Sequence, residues 1–484
     1  MEKIMFVKSL NGKPRLIMKK KISLLFFGFM VIIACYNTSQ AMFAMPQRIP
    51  VDRLICNASA YIEENPEDAN GYYVLGRIHY LAFSNKTVVL PASDKGENNL
   101  PKIPENIKLN YANMDKVDLC NRAYWLTLHS LGIFLPRDEI PELSKEAMEE
   151  FVESYKNKVK ELQDHNYYRQ ILIINPDPNE LIQHATEAIK NFQKAIEIDP
   201  NNGLHHLGLA SLLEQYVNYL KEINVKEVPE EISNIILNRA RDIYLRAYEL
   251  SIIDDLKPDR KFPLEGFRAG VSYEAGYAYI RLVGMQKSIS ALQKATMAEV
   301  NQQLTKGLRK HIGGITPIVF SLKENTSPAE LIGRNLKVNF DLDGNGQDEL
   351  WPWVKPSTGI LVWNEDGTGR ISSGRQLLGS VTWWLFFKDG YHALDCLDDN
   401  RDRILSGNEL TGISVWFDTN SNGKSEQEEI KSLEELGITS ISTESTSTEN
   451  GWLANKTGIK LKNTQTIPTY DWIAVPIKEN QGQP

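Results

Sequence analysis

Residues 398–409, DDNRDRILSGNE, and 418–429, DTNSNGKSEQEE, repeat Asp, Asn and Glu at the same offsets twenty residues apart. Asp398, Asn400 and Asp402 occupy positions 1, 3 and 5 of the first stretch. Ile404 offers its carbonyl at 7, Ser406 stands at 9 and Glu409 at 12. The second stretch gives Asp418, Asn420, Asn422, Lys424 (carbonyl), Glu426 and Glu429 at the same places. A solvated turn needs polar residues but no such register. An all-oxygen cage around a hard cation does need it, with a bidentate carboxylate closing the twelfth position. The twenty-residue offset leaves no room for two full helices between the loops, so the strand-like run GISVWF must connect them.

This donor order is that of the EF-hand calcium loop, in which Gly at position 6 permits a sharp turn and an apolar residue follows at 8. The first loop carries Leu405 at 8 but Arg403 at 6, where a positive φ costs a non-glycine residue about 1 kcal/mol. The second has Gly423 at 6 but Ser425 at 8. Two further stretches are less complete. DLDGNGQDEL, 341–350, offers Asp341, Asp343 and Asn345 around Gly346, with Pro352 at position 12; Asp348 or Glu349 would close a shorter loop. NEDGTGRISSGRQL, 364–377, has Asn364, Asp366, Thr368 and Gly369, with Arg375 at 12 and Gln376 beyond. One carboxylate and an arginine in place of the glutamate predict no calcium there. The expected role is structural pairing with the loop at 398, through helices in SVTWWLFF and GYHALDCL.

From DLDGNGQDEL through ILVWNEDGTGRISSGRQLLG, KDGYHALDCLDDNRDRILSGNEL and ISVWFDTNSNGKSEQEEIKSLEELGITSIS, the chain resembles the EF-hand-like calcium module of secreted bacterial proteins, found beside repeats-in-toxin proteins. The resemblance covers roughly 315–480. It implies Ca2+ at the loops beginning at Asp398 and Asp418, and at Asp341, and it implies no catalysis. Glycine-rich nonapeptide repeats are absent, so a toxin does not follow. Around the loops the sequence reads as strands at 315–322, 359–363, 413–417, 438–442 and 471–477, and as a short helix at 432–437.

The other half has a different period. In residues 180–215, Ala188, Phe192, Ala195 and Pro200 fall at spacings 4, 3 and 5, which resembles the second helix of a tetratricopeptide repeat. Tyr72, Leu75 and Gly76 in residues 65–83 match the first helix of such a repeat; 237–250 and 274–282 are further helical segments. A Pro- and Asn-rich insertion follows residue 83, so the array is irregular. The predicted layout is multidomain: an all-α helical-hairpin domain over 50–312, resembling tetratricopeptide repeats, then an α+β EF-hand-like domain over 315–480. Such arrays bind partners on a concave face, which implies an unidentified protein partner.

At the N-terminus, Lys19–Lys21 precede the 13-residue apolar run ISLLFFGFMVIIA, too short to span a bilayer and sized for a signal peptide within residues 1–41. Ser39-Gln40-Ala41 reads as a cleavage site; Ile32-Ile33-Ala34-Cys35 resembles a lipobox, which would tether the chain through a lipidated Cys35. The segment before Lys19 is long for a leader, leaving Met5 and Met18 as alternative starts. Export to the periplasm, cell envelope or exterior is the expectation. Cys56, Cys120 and Cys396 lack ligand spacing; a Cys56–Cys120 bridge is one pairing they allow. A net charge of −8 gives no basic footprint for nucleic acid.

No metalloprotease, serine-hydrolase, P-loop or dinucleotide motif stands in context, and His205-His206 reads as packing. Eight of the nine tryptophans fall between 351 and 472, more consistent with the core of a β-rich domain than with sugar stacking. The expected protein is a non-catalytic exported calcium binder. A cell-envelope hydrolase or carbohydrate-binding protein is the alternative.

Overall fold

The computed structural model describes residues 48–92, 178–222, 230–255, 270–305, 314–323, 326–364, 367 and 369–477. The leader, Cys35, Cys120, Asp366, Thr368 and the insertion after residue 92 lie outside them.

The helical part comprises α1 (Val51–Glu64), α2 (Ala69–Asn85), α3 (Pro178–Ile198), α4 (Gly203–Glu222), α5 (Glu230–Asp255), α6 (Val271–Gly284) and α7 (Ala291–Thr305). Each packs on the next, as short connections demand. Asp68 starts α2 by accepting from the Asn70 N–H; Pro178 opens α3 and Asp199-Pro200 follows its end. The spacing read in the sequence is the buried face of α3: Ala188, Phe192 and Ala195 are fully buried. The Phe192 ring fills the space between two glycines. A Cβ added to either Gly76 of α2 or Gly208 of α4 would lie 2.9 Å from that ring. Gly276 of α6 receives Tyr248 and Val300 in the same way. His205 packs on Tyr73, with ring centroids 5.4 Å apart, and His206 bonds the Pro200 carbonyl. A second histidine pair went unread in the sequence: His79 and His184 lie buried with Nδ1 atoms 2.8 Å apart. Cys56 is exposed and Cys396 buried, both as thiols.

The C-terminal part is an antiparallel sheet. In chain order its strands are β3 (Ile318–Ser321), β6 (Thr358–Trp363), β7 (Ile404–Ser406), β8 (Ile413–Trp416), β9 (Ile430–Ser432), β10 (Ile438–Ser442), β11 (Ser447–Glu449), β12 (Trp452–Leu461) and β13 (Thr466–Asp471). Their spatial order is β7-β10-β12-β13-β3-β6-β8-β9, with β11 on β12. Two small sheets stand apart: β1 (Arg48–Pro50) with β2 (Val89–Pro91), and β4 (Ile332–Phe340) with β5 (Glu349–Val354). Trp351, Trp353, Trp363, Trp383, Trp416 and Trp472 are buried in the core, while Trp384 and Trp452 are half-buried. Most of the tryptophans therefore fill the domain rather than face solvent.

Three sequence expectations need correction. SVTWWLFF is not a helix but one 3-10 turn, Thr382–Trp384, because Trp383, Trp384 and Phe386 all take positive φ. Residues 433–437 form a turn, closed by the Ile438 N–H on the Leu433 carbonyl; so short a run cannot sustain helix nucleation. The last strand among the described residues lies at 466–471, and beyond it Ala474 makes an isolated bridge to Ile315. GYHALDCL does contain a helix, α9 (Gly390–Asp395); α8 is the single turn Pro328–Leu331.

Candidate cation-binding loops

The three carboxylate loops share one hydrogen-bond plan. The carboxylate at position 1 accepts the N–H at position 6: Asp398 from Arg403 at 2.7 Å, Asp418 from Gly423 at 2.8 Å, Asp341 from Gly346 at 3.0 Å. Side chains at positions 3 and 5 accept the N–H two residues on. These pairs are Asn400–Asp402, Asp402–Ile404, Asn420–Asn422, Asn422–Lys424, Asp343–Asn345 and Asn345–Gln347. Positions 4 and 6 are left-handed throughout: Arg401 and Arg403, Ser421 and Gly423, Gly344 and Gly346. Each loop thus makes the same tight turn.

In the first loop Asp398 is fully buried, and its second oxygen, Oδ1, has no hydrogen-bond partner. A buried carboxylate oxygen without a donor costs several kcal/mol unless a cation meets it. Glu409 holds the loop mouth: Oε1 accepts from the Asp399 and Asn400 N–H groups, and Oε2 from that of Ser406. Ser406 and Glu409 form a capping box, with Ile404 starting β7.

The second loop repeats this. Glu429 accepts from the Thr419 and Asn420 N–H groups, and Glu426 and Glu429 cap each other's backbone. Glu426 Oε1 accepts from Asn422, while its Oε2 is buried without a partner. Two donors invisible in the sequence close this loop from the core: Trp353 donates to Asp418 at 2.6 Å and Trp416 to Glu429 at 3.4 Å. Burial raises the Asp418 carboxyl, against the donors from Gly423 and Trp353. For Glu429 burial also pulls upward, but hydrogen bonds from Glu426 and Thr419 outweigh it and hold the group below its ordinary value.

The third loop is the more acidic. Asp341, Asp343 and Glu349 bring carboxylate oxygens within 4.8 Å of one another, the one such trio of acidic, histidine or cysteine groups among the described residues. Of the two candidates for its closure, Glu349 is the residue in place. Asn345 ties it to Asp343, donating to both at 3.1 and 2.9 Å. Burial, then the neighbouring Glu349, pushes Asp343 up to about 7. Without a cation, therefore, this carboxyl keeps its proton through the acid range, and the cost of ionising it is felt only as pH rises through about 7. A cation must displace that proton at lower pH. In an Asp398→Ala/Asp418→Ala background, added calcium should associate with the Asp341–Asp343–Glu349 trio about tenfold more weakly at pH 6 than at pH 8, releasing a proton; calorimetry in buffers of different ionisation enthalpy measures both.

The stretch at 364–376 keeps the same first hydrogen bond, Asn364 accepting from Gly369 at 3.0 Å, but has a different filling. The buried amide of Gln376 accepts from the Ser372 N–H at 2.8 Å and donates to the Arg370 carbonyl at 2.6 Å. That carbonyl is position 7, which in a loaded loop faces the ion. Arg375 turns away, donating to Gly344 O and stacking on Trp384 at 3.9 Å. Its pairing partner differs from the one expected: not the loop at 398 but the one at 418. Ile371 N donates to Ser425 Oγ at 2.7 Å, and that hydroxyl reaches back to the Ile371 carbonyl. The serine at position 8 supplies by side chain the link an apolar strand residue makes elsewhere. The loop at 398 pairs instead through β7 with β10.

A helical-hairpin part joined to an antiparallel sheet bearing oxygen-donor turns, one of them an acidic trio that could hold a metal ion, defines the class of this molecule. The sheet region is similar to the SPM domain family, which matches residues 318–471. Over 107 residues the chain is 37% identical to the iron-regulated protein FrpA of Neisseria meningitidis serogroup C. That stretch is 21% of this chain and 10% of FrpA, so the chain spans about a tenth of the curated relative's length. Among the described residues no helix is long and apolar enough to cross a membrane.

Proposed function

We propose that this is an exported, non-catalytic calcium-binding protein whose C-terminal module is held by calcium, while its helical hairpins, in the manner of tetratricopeptide repeats, hold a protein partner. The observation that carries the reading is the buried, donorless Oδ1 of Asp398 inside a loop whose other oxygens follow the EF-hand order. Asp398, Asn400, Asp402, the Ile404 carbonyl, Ser406 and Glu409 would hold one ion. Asp418, Asn420, Asn422, the Lys424 carbonyl, Glu426 and Glu429 would hold a second, and Asp341, Asp343, Asn345 and Glu349 a third. All donors are oxygen, and the cages are large and flexible, which suits calcium over magnesium. When bound, the ion supplies positive charge to buried carboxylates and rigidity to the turns. Export rests on the leader-like segment and agrees with a weak structural ion, since calcium is abundant outside the cytoplasm. The burial of six tryptophans speaks for this reading over a sugar-binding surface.

Elemental analysis of the protein, dialysed against calcium, should find three ions per chain, and two in each of Asp398→Ala, Asp418→Ala and Asp341→Ala. A wild-type protein that retains no calcium and shows no calorimetric binding overturns the proposal.

A further inference from the structure

Helix α1 presents a polar stripe at Arg53, Asn57, Tyr61 and Glu64, spaced 4, 4 and 3 and hence on one face. Every one of these residues meets the segment that ends in the first loop. Arg53 pairs with Asp399 at 2.9 Å and donates to the Leu397 carbonyl at 2.8 Å. Asn57, itself buried, donates to the Cys396 carbonyl and to Asp399, both at 2.9 Å. Tyr61 meets His392 Nε2 at 2.9 Å, and Glu64 meets Arg401 at 3.3 Å. Arg401 also pairs with Asp395 at 2.7 Å.

The loop therefore has two faces. Asp398 at position 1 is buried, with Asn400 and Asp402 accepting N–H groups of the turn; positions 2 and 4 (Asp399, Arg401) reach α1. This explains residues that make poor loop formers. Arg401 and Arg403 take φ of 61° and 68°, where glycine would be at ease. Their side chains are nonetheless paired, Arg401 with Asp395 and Glu64, Arg403 with Glu444.

We infer that loop 398–409 couples cation binding to docking of the helical array: the ion that gathers its inward oxygens also fixes the outward pair that grips α1. The reasoning rests on the cation reading of this one loop. Hydrogen bonds from loop N–H groups shape the turn around Asp398, Asp402 and Glu409 but leave Asp398 Oδ1 without a donor, and Asp399 and Arg401 share the backbone that an ion there would tighten. By linkage the effect is reciprocal, so docking of α1 must raise the loop's calcium affinity by the same factor. Calcium then acts as a control on how the partner-holding helices sit against the module.

Hydrogen exchange on the full chain, in calcium and in excess EGTA, tests this with peptides covering 51–64 and 398–409 read separately. Both should slow in calcium, α1 by at least about fivefold, and Asp418→Ala should leave that response intact while Asp398→Ala abolishes it. If 398–409 slows and 51–64 does not, the coupling is wrong though the site stands. If 398–409 itself fails to respond, the cation reading of this loop falls and takes the coupling with it. The reverse direction uses calorimetry on Arg53→Ala, a residue that touches no ligand. Calcium at 398–409 should weaken about tenfold, within the usual span of coupled sites, and that at 418–429 should be unchanged. The exchanged pair Arg53→Asp/Asp399→Arg should recover most of the loss. An unaltered affinity in Arg53→Ala overturns the inference, and the wild-type exchange comparison stands even if the variant folds poorly.

Discussion

Calcium should raise the melting temperature of the protein, and the double variant Asp398→Ala/Asp418→Ala should lose most of that rise. An extracellular-type site has a Kd of about 10⁻⁴ M. At a hundredfold excess of calcium each site then contributes about 2.7 kcal/mol by mass action, and two contribute about 5 kcal/mol. That is a large part of the stability of an ordinary domain. The variant also loses two acceptors, since Asp398 serves the Arg403 N–H and Asp418 those of Gly423 and Trp353. Those losses are felt in EGTA and in calcium alike, at about 1–3 kcal/mol for each donor left buried. The two effects separate cleanly in a scan with and without chelator. A fall of equal size in both conditions means the carboxylates serve only as hydrogen-bond acceptors. A wild type indifferent to EGTA, with no metal found by elemental analysis, rejects the calcium assignment.

The second large effect lies in the helices. Phe192→Ala should destabilise the helical part by about 3–5 kcal/mol, the usual range for removing a buried ring. The ring is wholly buried, packs against Tyr73 and Tyr80 at centroid distances of 5.5 and 6.5 Å, and fills the space that Gly76 and Gly208 leave open. Neighbouring backbones cannot close over so wide a gap without moving whole helices. Helical circular dichroism should therefore fall at lower denaturant than in the wild type. Tryptophan fluorescence, dominated by the residues between 351 and 472, should shift much less. Coincident shifts of equal size would show instead that the two parts unfold as one unit.

What could be read from the sequence, and what could not, follows from the range of the interactions. The loops were legible because their donors lie within twelve residues, where chain geometry fixes the offsets. The position of Phe192 was legible because Ala188 and Ala195 share its helix face. Glu349 could be narrowed to two candidates, but only the turn around Gly346 selects it over Asp348. The pairing of Ile371 with Ser425 spans 54 residues, and no local pattern announces it. Strands β4, β5 and β12 went unread because their alternation is blurred: β4 runs IGRNLKVNF, β5 contains Pro352, and β12 carries Asn455, Lys456 and Thr457 across its middle. The tryptophan donors to Asp418 and Glu429 come from β5 and β8, brought together only by the fold. Arg403 at position 6 reads as a fault only while its partner Glu444 is out of sight.

Gln376 has a consequence of a different kind. Its amide gives the Arg370 carbonyl a donor of its own, where the proposed function has the other turns take a cation. On that reading the Gln376 link needs no ion, while its neighbours do. The segment around Gln376 is joined to the turn at 418 through Ser425 and to the turn at 341 through the Gly374 N–H on the Asp341 carbonyl. If the proposed calcium reading holds, a newly made chain meeting the ion then carries links already set, against which the turns at 341 and 418 can take shape in order rather than by independent search.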